Sequence, residues 1–99
     1  MHAEIVKQGG AWTLAMDGGL DVRNAAALHA VACEAVNAPA AVTLDLGAVE
    51  AIDVAGAQVL LALAAALDVR GVTLSVAAVP PRLVETWRQL GLEGRPPIA

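Results

Sequence analysis

Three stretches of this chain alternate between larger apolar residues and small or polar ones, and the segments between them repeat at helical spacing instead. In residues 11–16, Trp12, Leu14 and Met16 share one face while Ala11, Thr13 and Ala15 share the other. In residues 41–46, Val42, Leu44 and Leu46 oppose Thr43 and Asp45; in residues 72–76, Leu74 and Val76 oppose Thr73 and Ser75. A period of two is that of a half-buried strand, so each stretch offers one face to a core and one to water. A further short strand is expected over residues 3–8, joined to the next by Gly9-Gly10, a hairpin-turn signal.

Helices fill the intervals. Asp17-Gly18-Gly19 reads as a turn, and Asp21 as the N-cap of a first helix running to about Val36, with Leu28, Val31, Ala32 and Ala35 on its inner face. Asn37-Ala38-Pro39 ends it, because the residue before a proline avoids the helical region. Gly47 to Asp53 reads as a loop, and a second helix runs from about Val54 to Asp68. Pro80-Pro81 opens a third, with Leu83, Trp87 and Leu90 inward and Arg82, Glu85, Arg88 and Gln89 outward; Gly91 suits its end. The expected fold is α/β, in the order β-β-α-β-α-β-α. Strands joined through helices run parallel and the hairpin makes the sheet mixed, giving four strands with three helices mainly on one face. The 99 residues form one domain, with residues 93–99 expected to be a loosely ordered tail.

Composition removes several classes of function. The chain carries a net charge of −4 and two aromatic residues, Trp12 and Trp87. It therefore lacks both the basic footprint and the stacking platforms that nucleic-acid binding uses. The longest weakly polar run, Val54 to Leu67, is 14 residues, where a membrane span needs about 20. No signal peptide is visible at Met1-His2-Ala3-Glu4, and a cytoplasmic location is expected. The lone Cys33 can form neither an intrachain disulfide nor a cysteine-based zinc site.

Catalytic constellations are equally sparse. The single serine, Ser75, lies inside a strand pattern, and the histidines are His2 at the terminus and His29 in the first helix. No Gly-x-Ser-x-Gly, phosphate loop or Gly-x-Gly-x-x-Gly occurs. Asp45, Glu50 and Asp53 lack the spacing of a calcium loop. No enzyme activity, metal or cofactor is expected.

The informative unit is the strand, loop and helix from Val42 to Leu67. Asp53 stands where a helix N-cap should, its carboxylate set to accept a backbone N–H at the positive helix end. The second helix is expected to bury Val59, Leu63, Ala66 and Leu67. That places Ala57, Leu61, Ala64, Ala65 and Asp68 on an outer face too apolar for ordinary solvent exposure. A protein partner or a second copy would cover it. Charge is uneven as well: residues 1–53 hold seven acids and two bases, residues 54–99 three acids and four bases. The expected partner-binding residues are Glu50, Asp53, Val54, Ala55, Gly56, Ala57, Gln58 and Leu61.

The run from Val42 through Asp45-Leu46 to Asp53-Val54-Ala55-Gly56 and Leu60 resembles the signature of the STAS domain family, which includes anti-sigma factor antagonists and domains of anion transporters. Gly18-Gly19-Leu20-Asp21 resembles the family's motif before its first helix, and Gly71 to Leu92 its late strand and final helix, so the resemblance spans residues 11–92. It implies a protein-binding regulator. In the antagonist branch an anti-sigma, histidine-kinase-like ATPase phosphorylates a hydroxyl after the loop aspartate, and the dianion ejects the partner. In another branch a small STAS subunit binds the ATPase of a bacterial phospholipid ABC transporter. Here the phosphoacceptor-equivalent position is Val54, followed by Ala55, and neither carries a hydroxyl. Leu92 to Ala99 is also too short and proline-broken for the extra strand and helix of longer antagonists.

Overall fold

A computed structural model describes residues 1–98. The elements are β1 (Ala3–Gln8), β2 (Ala11–Leu20), α1 (Ala25–Ala35), β3 (Ala41–Ile52), α2 (Val54–Val69), β4 (Thr73–Ala77) and α3 (Pro81–Gln89). They form one four-stranded sheet in the order β1-β2-β3-β4. The β1–β2 pair is antiparallel, from Ala3 opposite Met16 to Gln8 opposite Ala11, and β2–β3 and β3–β4 are parallel. Gly9, at φ 61°, supplies the left-handed backbone that the two-residue hairpin needs.

Alternation places the core where the periodicity predicts. Leu14 and Met16 of β2 and Val42, Leu44 and Leu46 of β3 are buried. They meet Leu28 and Ala32 of α1, Leu60, Leu63 and Leu67 of α2, and Leu83 and Trp87 of α3 in a single cluster. The opposite face has no buried residue on any strand; there Thr43 Oγ1 and Ser75 Oγ lie 3.1 Å apart, within hydrogen-bond reach. Of the expected core, Trp12, Val59, Leu74 and Val76 are only partly buried. Trp12 is capped by Lys7, whose Nζ sits 4.4 Å from the ring centroid and 3.3 Å from Glu34 on α1.

Two expectations are corrected. Residues 17–19 and 47–52 are not loops: β2 and β3 stay paired to Leu20 and Ile52. Register shifts between Ala15 and Asp17 and between Gly18 and Gly19 break the alternation there without ending the ladder. Asp21 does not cap α1; the helix starts a turn later, behind Asn24, which makes no side-chain cap. Beyond α3, Ile98 is buried in the core and the Trp87 Nε1–H donates to the Arg95 carbonyl at 3.0 Å; residue 99 lies outside the described residues.

Candidate functional site

At the C-terminal end of β3, Asp53 joins three segments. Its backbone is extended (φ −115°, ψ −174°), and its Oδ1 accepts from the Gly56 N–H at 3.0 Å, capping α2. Its Oδ2 accepts from the Val22 N–H at 3.1 Å, across 31 residues of sequence. The Asp53 N–H donates to the Leu20 carbonyl (3.1 Å), and the Asp53 carbonyl accepts from Ala57 (2.9 Å). Both carboxylate oxygens are thus engaged by backbone donors, one of them at a helix N-terminus where negative charge is favoured.

Gly56 makes this seat compact. A Cβ built on it would lie 2.0 Å from the Leu20 carbonyl oxygen, a backbone atom that cannot swing aside. The first turn of α2 therefore rests directly on the end of β2, an approach that only a residue without a side chain permits.

The adjoining turn, residues 21–24, carries its own bonds. Asp21 Oδ1 accepts from the Arg23 N–H (3.0 Å), Arg23 Nη2 donates to Asp21 Oδ2 (3.1 Å), and Asn24 Nδ2 donates to the Gly19 carbonyl (2.8 Å). The Arg23 side-chain hydrogen bond holds the Asp21 carboxyl below its usual range. The Arg23 side chain is largely exposed, so the pair adds little to stability.

Around this scaffold the expected binding residues separate. Glu50 and Gln58 are exposed, and Val54 is 57% exposed. Asp53, Ala55 and Leu61 are half-buried. Gly56 and Ala57 are buried. The inner face of α2 is rotated from the expected one: Leu60, Ala57 and Ala64 are buried with Leu63 and Leu67, while Val59 and Ala66 only flank the core. The outer stripe is Val54, Gln58, Ala62, Ala65 and Asp68, still poor in charge. Val22, not singled out by the sequence pattern, is 71% exposed beside this site. Asp21 read as a helix cap puts Val22 in the first turn of a helix, whereas it lies in the turn before α1. Asp45, considered above with Glu50 and Asp53, accepts from the Gly47 N–H at 3.0 Å.

A family model described as "Mlab, STAS domain" matches residues 3–98. The chain belongs to the STAS domain family. A search of curated proteins returns no match. Among solved structures, the STAS domain is similar to an anti-sigma factor antagonist from Mycobacterium paratuberculosis, with 24% identity, a TM-score of 0.76, and coverage of 96% of this chain and 82% of that one. It is also similar to an RsbS variant from Moorella thermoacetica (19%, 0.77, 97% and 83%). A sulfate transporter family protein from Wolinella succinogenes matches at 23% and 0.72, over 88% and 71%. These likenesses establish the shared fold. Within this STAS domain, no residue from Glu50 to Gln58 carries a hydroxyl.

Proposed function

We propose that this STAS domain is a non-enzymatic, cytoplasmic regulator that docks a protein partner on the surface around Asp53: Val22, Glu50, Ala51, Val54 and Gln58. The observation that carries the reading is the exposure of Val22 and Val54 on two segments that the Asp53 carboxylate ties together. Apolar side chains on a pinned backbone lose little freedom when covered, so more of their burial energy reaches the complex. Glu50 and Gln58 supply a polar rim. The partner class is an anti-sigma or histidine-kinase-like ATPase, as in the antagonists that the fold resembles.

Phosphoryl transfer needs an acceptor oxygen, and Val54 offers methyl groups. The surface is therefore constitutively binding-competent, and control falls to abundance or to the partner. That constancy also favours a second reading, an accessory subunit held on the ATPase of a bacterial phospholipid ABC transporter.

Purified ATPases of both classes, titrated against wild type and Val54→Glu, test the proposal. A carboxylate in the first helical turn suits the helix dipole, so the variant should keep its melting midpoint. It should bind at least about tenfold more weakly, or about 1.4 kcal/mol. The class that binds selects between the readings. Binding to neither, or equal binding by the variant, overturns both. After incubation with partner and ATP, the wild type should keep its unmodified intact mass.

A further inference from the structure

The two edges of the sheet are defended differently. On β1, Glu4 and Lys7 are exposed, and Lys7 reaches Glu34. Charges of this kind, lysine above all, discourage a foreign strand from pairing with an edge. On β4 the sequence is Thr73-Leu74-Ser75-Val76-Ala77, with no charge and no proline, and its register against β3 is unbroken.

The ladder identifies which β4 groups stay unpaired. Thr73 N–H donates to the Ala40 carbonyl, and Thr73 and Ser75 stand opposite Ala41 and Thr43 of β3. In a parallel ladder alternate residues turn their backbone groups to one neighbour, so the N–H and C=O of Leu74 and Val76 face outward. They meet no backbone partner among the described residues. Beside this edge runs a groove of about 840 Å³, lined by Leu61 and Ala65 of α2, by Leu74 and Val76, and by Asp68 and Arg95. Neither Asp68 nor Arg95 has an ion-pair partner among the described residues.

We propose that a second copy of this chain occupies the edge, β4 against β4 antiparallel about a two-fold axis through Ser75. In that register Leu74 of each copy faces Val76 of the other as a hydrogen-bonded pair. The four outward N–H and C=O groups per copy are then satisfied by the same four groups of its partner. The charges balance too, because each groove brings one acid and one base to the shared interface. An occupant of single-sign charge would leave one of them opposed. The surface around Asp53 lies at the end of β3, not on the β4 edge, so dimerisation and docking are independent and can fail separately.

Ser75 would face its symmetry mate as a non-hydrogen-bonded pair, with Cα atoms about 4.5 Å apart, inside the disulfide range. Three measurements on the full chain test this. Light scattering after gel filtration should give twice the 10.0 kDa chain mass. Ser75→Lys sets like charges opposite each other, and should convert the species to monomer with an unchanged circular dichroism spectrum. Ser75→Cys with Cys33→Ser should cross-link to a covalent dimer under mild oxidation, whereas Thr73→Cys in the same background should not. A wild-type monomer at 100 μM overturns the proposal. So does a dimer that survives Ser75→Lys, or one in which both cysteine variants cross-link alike.

Discussion

Two helices begin at the same end of the sheet, and they begin differently. α2 starts on Asp53, whose side chain caps it and also holds Val22 of the neighbouring turn. α1 starts behind Asn24, whose side chain turns back to the Gly19 carbonyl and leaves the helix without a side-chain cap. One start is seated by backbone against backbone at Gly56 and Leu20; the other follows a turn tied mainly to itself, with one tether to Asp53. The contrast shows that the rigid member of the pair is α2, and that the α1 turn borrows its position from the Asp53 carboxylate.

Breaking the rigid member should cost most. Gly56→Ala drives a methyl group into the Leu20 carbonyl, and neither backbone can move without lifting α2 from the sheet. The expected loss is at least about 3 kcal/mol, at the upper end of overpacking effects, read as a fall in the urea midpoint. A loss below about 1 kcal/mol would show that the seat is soft.

The paired caps come next. Asp53→Ala removes an N-cap and the acceptor for Val22, and should cost about 1–2 kcal/mol. Amide exchange should rise at both Val22 and Gly56. Asn24→Ala removes one hydrogen bond and should cost under about 1 kcal/mol, with faster exchange confined to the α1 turn. Equal costs at the two positions would erase the distinction between the two starts.

The smallest effect sharpens the comparison from outside. Val54 is exposed, so Val54→Thr should change stability by no more than about 0.5 kcal/mol. It restores a hydroxyl beside the cap. Under a kinase-like partner and ATP, intact mass should rise by one phosphate on the variant and not on wild type. An unmodified variant would show that the hydroxyl alone does not make an acceptor here.

The parts of the fold that were legible are those where one physical pattern dominated. Alternation at Leu14 and Met16, at Val42, Leu44 and Leu46, and at Leu74 and Val76 marked strand faces, and Pro80-Pro81 marked the start of α3. The extensions of β2 and β3 were not legible, because Gly18-Gly19 and Gly47-Ala48 read as turn chemistry while backbone pairing with a shifted register carries the ladder through them. The buried face of α2 is not legible for another reason. From Val59 to Leu67 every residue is Val, Leu or Ala, so no polar residue fixes the rotation of the wheel. In the site, Asp53 was recognisable as a cap from one sequence, but its bond to Val22 is a tertiary fact. The undetermined rotation of α2 also puts Ala57 on the outer face by spacing, whereas it belongs to the core.

The contact between Gly56 and Leu20 involves main-chain atoms, and so it asks nothing of the side chains that ring it. Val22, Ala51, Val54 and Gln58 can be exchanged for other residues without unseating the helix that displays them. If the proposed docking holds, recognition is written on a surface separate from the joint that supports it. A designer, or natural variation, could re-letter those four positions to suit a new partner while the domain folds as before.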